Sequence, residues 1–176
     1  MLRHALSRGD LPTKPADYLH LRVKDLPAAE LLCRARAMRQ AWAKPLLIND
    51  RVDVCLAAGA DGVHLPSRRM APLRIKKCFG AKLLVGVSCH SIQEVQVAEQ
   101  EGADYVFLSP IFSPLSKKVF SPPLGLEVLS QAQSLVKIPV LALGGICENT
   151  EEKCRLAGVA GFAAISFFFP LASPDR

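Results

Sequence analysis

One short pattern recurs along this chain of 176 residues and constrains its fold more than any other feature. A glycine, a short turn and then an apolar run occur at residues 59–65, 102–108 and 158–165. Glycine at such a position ends a helix, and a short apolar run bounded by a turn is typical of a buried strand. The repeat therefore predicts several joints at which a helix leads through a turn into a strand.

Other apolar runs predict four more strands, expected at residues 17–22, 46–49, 83–88 and 139–143. Stretches with helical periodicity lie between the strands, at residues 28–42, 52–58, 92–101, 126–135 and 149–157. Ser91 and Glu94 have the spacing of a capping box at the start of the helix at 92–101. Strands that are apolar throughout and alternate with helices indicate parallel pairing with both faces of the sheet covered.

This alternation predicts an α/β fold, a (β/α)8 barrel of the TIM type, in a single domain covering residues 1–176. The apolar runs supply about seven strands, whereas a complete barrel has eight and usually spans about 200 residues or more. Residues 2–9 have the pattern of a helix that ends at Gly9, so the first strand is expected to be missing and the chain to be short at its N-terminus. The two edges left unpaired would be covered by a second copy or by a longer natural N-terminus, and a homodimer is the expected assembly.

Composition narrows the function classes. No apolar run approaches the roughly 20 residues that span a bilayer, and the first residues lack the apolar core of a secretory signal, so a cytoplasmic location is expected. Lysine and arginine number 22 against 16 aspartates and glutamates, which favours an anionic partner. The basic residues are not interleaved with aromatic ones on any expected strand, which argues against nucleic acid. The six cysteines show no C-x2-C spacing, and we expect most of them to be small buried residues.

Polar residues follow the expected strands, at the ends where a barrel of this type carries its functional groups. The candidates at the first four strand ends are His20, Arg22, Lys24, Asn49, Asp50, His64 and Ser88. Arg22 and Lys24 lie two residues apart and project to the same side of their strand. Because two like charges need an anion or a carboxylate near them, Asp50 is either their ion-pair partner or a ligand of Mg²⁺.

The last two strand ends predict a phosphate site. Gly144 and Gly145 leave one strand, and Ile165 and Ser166 leave the next. In barrels the loops after strands 7 and 8 commonly bind phosphate through exposed backbone N–H groups. The other interpretation of the glycine pair is an ordinary turn from strand to helix.

Three further side chains are candidates for chemistry. Lys117 lies in a proline-containing segment after the sixth strand that resembles a mobile lid, where it either contacts a phosphate oxygen or remains a solvated charge. His20 and His64 are candidates to bind a substrate ring or to move a proton near neutral pH. The other interpretation of His64 is a core histidine bonded to a neighbouring backbone, and His4 is expected on the surface.

The sequence resembles the thiamine-phosphate synthase and TenI superfamily. The resemblance is carried, in family order, by residues 20–24, 47–53, 59–67, 86–91, 102–117, 143–146 and 158–166. It implies a (β/α)8 barrel and a phosphorylated thiazole or thiamine phosphate as ligand. Synthases of this superfamily join a pyrimidine methyl diphosphate to a thiazole phosphate with the help of Mg²⁺, whereas TenI-type members aromatise the thiazole ring by moving a proton.

The resemblance also implies roles for particular residues. Arg22, Lys24, Asn49, Asp50, Ser88, Ser116 and Lys117 fall where a synthase holds its diphosphate, metal and substrate, and Gly144, Gly145, Ile165 and Ser166 fall at the phosphate cup. Two departures stand out: Arg69 replaces the second metal carboxylate of the synthase, and Pro110 replaces the base of a TenI type.

The balance of these features favours a TenI-like thiazole tautomerase. His20 stands where many synthases have glutamine, and the run at 65–67 is closer to TenI-type members. The close alternative is an active thiamine-phosphate synthase, for which Mg²⁺ is the expected cofactor, and no other cofactor is implied. A second alternative is a binding or regulatory protein for a phosphorylated ligand that carries out no catalysis.

Overall fold

The computed structural model describes residues 1–23, 25–67, 70–113 and 122–169. Its parallel strands form a closed barrel in which each strand pairs with its neighbours in chain order and the first pairs with the last. The strands are β1 Leu2–Ser7, β2 Tyr18–Leu21, β3 Leu46–Asn49, β4 Gly62–Leu65, β5 Leu84–Cys89, β6 Tyr105–Leu108, β7 Val140–Leu143 and β8 Gly161–Ala164. The helices of the described residues are α1 Ala28–Ala41, α2 Val52–Ala58, α3 Pro72–Phe79, α4 Ile92–Gln100, α5 Gly125–Leu135 and α6 Glu148–Leu156.

The barrel-type fold expected from the sequence is confirmed, but the expectation of about seven strands and a missing first strand is wrong. Residues 2–7 form β1, which pairs with β2 on one side and β8 on the other. Leu2 and Leu6 belong to the cluster inside the barrel, whereas Ala5 packs in the cluster under the helices. This alternation is that of a strand, but a stretch of six residues is too short for its periodicity to exclude a helix.

Closure of the barrel also removes the reason for expecting a homodimer. That expectation rested on two strand edges without partners. In the closed order each of the eight strands has a partner on both sides, so the sheet of this chain presents no edge for a second copy to cover.

The two faces of the sheet are filled by different kinds of residue. The outer face is aliphatic and packs under the helices, with Leu19, Ile48, Val63 and Val106 fully buried there. The inner face is filled in part by rings, because Tyr105 and Phe107 project inward from β6. Such a ring needs space opposite it: a Cβ on Gly86 would lie 2.1 Å from Cζ of Tyr105. The interior is therefore packed by pairing large side chains with glycines.

Aspartates that precede alternate strands join neighbouring strands at the amino-terminal end of the barrel. Each aspartate comes directly before β2, β4 or β6, and its carboxylate accepts a hydrogen bond from a backbone N–H of the preceding strand. The bonds run from Arg3 to Asp17 (2.9 Å), from Leu46 to Asp61 (2.8 Å) and from Val85 to Asp104 (2.7 Å). The same Asp61 oxygen accepts from Arg39 at 2.7 Å. Asp61 and Asp104, the acidic residues in two of the three glycine repeats, thus each join two strands at the end of the barrel remote from the candidate site.

Several local expectations are corrected by the structure. Helix α3 is an addition to the predicted elements, although Pro72 at its start and the buried Ile75 are ordinary helix signals. Ser91 caps α4 by accepting from the N–H of Glu94, but the Glu94 carboxylate accepts from the N–H of His90, so the box does not close on Ser91 itself.

All six cysteines are free; those at 55, 89 and 154 are buried, and those at 33 and 78 are exposed. Among the described residues, no helix has the length and apolar character needed to cross a membrane.

We expect Asp61→Ala to lower the free energy of unfolding by about 1–3 kcal/mol, because the buried N–H of Leu46 loses its acceptor. Urea titration followed by circular dichroism measures the loss. Asp25→Ala, at an exposed position, is the matched control and should shift the midpoint little. Equal stability of the two variants would show that the aspartate does not fasten these strands.

Candidate functional site

The polar residues expected at the first strand ends do gather at one place. A cavity of about 390 Å³ opens at the carboxyl ends of β2 to β5, and its polar lining is Arg22, Asn49, Asp50, Arg51 and Ser88. Four of these five were candidates from the sequence, and Arg51 was not. Apolar side chains, among them Leu26 and Pro66, complete the wall. We call this the arginine cavity.

Arg22 is the most enclosed cation of the arginine cavity. Its side chain is half-buried, and its backbone N–H donates to the carbonyl of Ser7 at 2.9 Å, which fixes the end of β2 against β1. Burial, together with the nearby Arg8, lowers the pKa of the Arg22 guanidinium. No ion pair joins Arg22 to a carboxylate within the described residues. An anion entering the cavity would therefore compensate a charge that is partly removed from water.

Asp50 has a backbone conformation that side chains rarely adopt. Its φ angle is +57°, and among the described residues it is the only non-glycine residue with positive φ. Its N–H donates to the carbonyl of His64 at 2.9 Å, so the turn after β3 is tied to β4. Aspartate tolerates this left-handed region better than most residues, and backbone strain of this kind concentrates at functional sites. The turn places the Asp50 side chain in the wall of the arginine cavity.

A chain of hydrogen bonds leads from the arginine cavity into the barrel interior. Ser88 Oγ lies 2.9 Å from His64 Nε2, and His64 Nδ1 lies 3.1 Å from the hydroxyl of Tyr105. His64 is 2% exposed and its ring stacks on Phe107 at 4.2 Å between centroids. Burial, with His20, His4 and Arg22 nearby, holds the pKa of His64 well below its ordinary value. His64 is thus a neutral core residue. Both of its ring nitrogens are hydrogen-bonded, and their partners are side chains, not the backbone.

The other two histidines of the interior lie next to this chain. His20 is 1% exposed, its ring centroid is 5.0 Å from that of His64, and neither ring nitrogen has a hydrogen-bond partner within the described residues. His4 was expected on the surface, but it is buried in β1 and stacks on Tyr18 at 4.3 Å. Burial lowers the pKa of both His4 and His20 to about 3. Both rings are therefore neutral at physiological pH.

The residues expected to form a phosphate cup lie together at the other side of the rim. β7 and β8 are paired with Leu143 opposite Ala163, so Gly144 and Gly145 leave the barrel beside Ile165 and Ser166. Ile165 and Ser166 are exposed. Gly145 has φ +66°, and a Cβ there would lie 2.6 Å from Cβ of Phe112. The glycine is therefore required by the turn and by close packing, whether or not phosphate binds.

A second cavity beside this cup contains a cation that the sequence did not suggest. The cavity measures about 350 Å³, and Lys14, Ser166 and the start of α6 line it. Lys14 Nζ bonds to Glu148 at 2.5 Å and lies 4.4 Å from the centre of the Phe167 ring. The sequence does not single out Lys14, because this residue follows β1, whose residues have the pattern of a helix that ends at Gly9. We call this the lysine cavity.

Lys24, Ser116 and Lys117 lie outside the described residues, as do Arg68 and Arg69. The other candidates fall into two groups. Arg22, Asn49, Asp50 and Ser88 line the arginine cavity, and the two glycines with Ile165 and Ser166 lie at or beside the lysine cavity. His20 and His64 lie below the rim, inside the barrel.

Comparison with known proteins decides the family. The family model described as thiamine monophosphate synthase matches residues 8–168. The chain belongs to the thiamine monophosphate synthase family. A putative thiamine-phosphate synthase of Geobacter sulfurreducens is 43% identical over 160 residues, which are 89% of this chain and 74% of that protein. A thiamine-phosphate synthase of Roseiflexus castenholzii is 34% identical over 98% of this chain and 75% of its own length.

A solved structure agrees with this family membership. The thiamine phosphate pyrophosphorylase of Pyrococcus furiosus superposes with a TM-score of 0.81 at 31% identity, over 94% of this chain and 85% of that one. The N-acetylmannosamine-6-phosphate 2-epimerase of Clostridium perfringens, at 16% identity and a TM-score of 0.66, shares the fold only. The fold alone therefore does not decide which activity a barrel of this type carries out.

We expect the stability of the protein to fall as the pH drops from about 6.5 toward 3. His4 and His20 titrate near pH 3 when folded and near 6.5 when unfolded, so between these values only the unfolded chain binds their protons. Each histidine contributes up to about 1.4 kcal/mol per pH unit to the loss. Urea titrations at several pH values measure the slope. His4→Phe should reduce it, and an unchanged slope for this variant contradicts the assignment.

Proposed function

We propose that this protein is a thiamine-phosphate synthase that joins a pyrimidine methyl diphosphate to a thiazole phosphate and releases diphosphate. The observation that carries the proposal is the presence of two separate cavities with cations on one rim, the arginine cavity at β2 to β5 and the lysine cavity at β7 and β8. The coupling of two phosphorylated substrates needs two anion sites, whereas a tautomerase needs one. The names of the relatives support the same choice.

The coupling reaction breaks a carbon–oxygen bond and forms a carbon–nitrogen bond. The diphosphate departs from the pyrimidine methylene with the bonding electrons, and the thiazole nitrogen donates its lone pair to the carbon left behind. Negative charge therefore develops on the departing oxygen. Arg22, Arg51 and the hydroxyl of Ser88 line one cavity, where they would bind the diphosphate and stabilise that charge. The aromatic thiazole is the neutral nucleophile, so this step requires no general base.

The oxygen ligands of the arginine cavity suit Mg²⁺ only if the substrate supplies further ligands to the ion. Asp50 is the one carboxylate among the lining residues, with the Asn49 side-chain oxygen beside it in sequence, and within the described residues no group of three or more His, Cys, Asp or Glu could hold a metal. Magnesium often takes one or two carboxylates and fills its other positions with phosphate oxygens and water. Asp50 would hold it on the protein side, and the ion would neutralise charge on the diphosphate.

The tautomerase interpretation has weaker support in the geometry. It needs a general base within hydrogen-bond reach of a bound thiazole. Pro110 stands where the resemblance places that base, and it has no proton to exchange. His64 is already bonded through both ring nitrogens, and the pKa of His20 is lowered to about 3 by burial. Neither imidazole is poised to accept a proton near neutral pH.

We expect the purified protein with Mg²⁺ and both substrates to form thiamine phosphate and diphosphate in equal amounts. Arg22→Gln should lower kcat/KM by about ten- to hundredfold, because a charge-assisted contact to the leaving group is lost. Arg74→Gln, an exposed arginine of α3, is the matched control. No product from the wild-type protein, or equal rates for Arg22→Gln and Arg74→Gln, would contradict the proposal.

The lysine cavity gives a separate prediction for the thiazole substrate. Lys14→Gln should weaken binding of thiazole phosphate by about three- to tenfold and leave binding of inorganic diphosphate unchanged, because the cation lies beside the cup at β7 and β8. Isothermal titration of each ligand separates the two effects. Lys137→Gln, an exposed lysine preceding β7, serves as control. Loss of diphosphate affinity in Lys14→Gln would mean that the cavities are not assigned to different substrates.

A further inference from the structure

We propose that Tyr105, acting through His64, is a positioning residue that holds the Ser88 hydroxyl as a hydrogen-bond donor into the arginine cavity. The contacts that support this are the two bonds of the chain, at 3.1 Å between Tyr105 and His64 and at 2.9 Å between His64 and Ser88. Ser88 lines the cavity, whereas the other two residues are buried behind it. The identity of the acceptor, a diphosphate oxygen, rests on the proposed function; the chain itself does not.

The direction of the bonds follows from what each group can donate. The Tyr105 side chain is buried, at 6% residual exposure, and the described acceptor within reach of its hydroxyl is His64 Nδ1. A buried hydroxyl proton without an acceptor is unfavourable by about 1–3 kcal/mol. The favoured arrangement therefore has Tyr105 donating to Nδ1, which leaves the single proton of the neutral imidazole on Nε2.

This tautomer sets the role of Ser88. The N–H at Nε2 of His64 donates to Ser88 Oγ, so the serine oxygen is an acceptor in that bond. The serine proton is then free to point away from His64, toward the arginine cavity. Ser88 becomes a fixed donor for an anion and is not activated as a nucleophile, because no base takes its proton.

The surroundings keep this chain in place. Burial raises the pKa of the Tyr105 hydroxyl well above its ordinary value, so the donor proton is retained. The imidazole of His64 lies stacked on Phe107 at 4.2 Å between centroids. The Tyr105 ring occupies the space that a side chain at Gly86 would fill. Since Gly86 and Ser88 both belong to β5, the strand that makes room for the tyrosine also carries the residue that the tyrosine positions.

The first test is the protonation of the His64 ring. In a ¹⁵N NMR spectrum at neutral pH, we expect the unprotonated nitrogen of His64 to be Nδ1 and the proton to be on Nε2. In Tyr105→Phe the hydrogen bond that Nδ1 accepts from the tyrosine hydroxyl is lost. We therefore expect a shift of the Nδ1 resonance or a mixture of tautomers. A proton found on Nδ1 in the wild-type protein would overturn the proposal, because Tyr105 would then accept and Ser88 would donate inward.

The second test is a double-mutant cycle that uses inorganic diphosphate, with and without Mg²⁺, as the ligand. Tyr105→Phe should weaken diphosphate binding by about three- to tenfold in the wild-type background, the size expected for a misdirected hydrogen bond. In the Ser88→Ala background the same change should alter affinity by less than about twofold, because the group it positions is absent. Equal effects in both backgrounds, or no effect in either, would overturn the proposal.

A control and a comparison separate this proposal from the proposed function. Tyr18→Phe removes the other tyrosine hydroxyl of the barrel interior, at the end of β2 remote from the rim, and should leave diphosphate affinity unchanged. A wild-type protein that binds diphosphate but makes no thiamine phosphate would contradict the synthase function and leave the cycle measurable. A wild-type protein that binds no diphosphate would overturn the positioning role, since the donor would have no anion to meet.

Discussion

Pairing of β1 with β8 is the contact on which the rest of the structure depends. Most strands of this barrel are four residues long, so each pair contributes few ladder bonds, and a single unpaired edge would open the sheet. This pairing places His4 opposite Ala163. It also leaves only β1 between β2 and β8, so the end of β2 lies near the ends of β7 and β8 on the rim. Without it, the arginine cavity and the lysine cavity would not share one rim.

Closure of so short a barrel creates an interior that must be filled, and this protein fills part of it with rings that carry nitrogen or oxygen. Buried polar groups are tolerated when they bond to one another. Tyr105, His64 and Ser88 do so in a line that ends at the arginine cavity. The side chains that fill the core therefore also fix the Ser88 hydroxyl, so a change deep in the barrel can reach the candidate site through two hydrogen bonds.

The sequence predicts the barrel because its helix-to-strand joints repeat, and it predicts the rim candidates because polar residues recur at strand ends. It does not reveal β1, since a six-residue strand with a histidine on its inner face lacks a clear apolar period. Lys14 is not recognised as a site residue either, because it follows β1. Tyr105 is missed for another reason: in the run Tyr105–Leu108 it resembles any buried strand residue, and only the register that sets Gly86 beside it shows that its hydroxyl meets His64.

The cations of the rim differ in how readily an anion can engage them. Arg51 is bonded to Asp53 and Lys14 to Glu148, in pairs that are largely exposed to solvent. Exposed pairs of this kind contribute about 0–1 kcal/mol, so a phosphate can displace the carboxylate at little cost. Arg22 is half-buried and has no such carboxylate partner within the described chain. Part of its hydration is already lost, so an anion entering the cavity would meet a guanidinium that no described carboxylate already holds. For that reason Arg22, and not the more exposed arginine beside Asp50, is the group around which the substrate would be oriented.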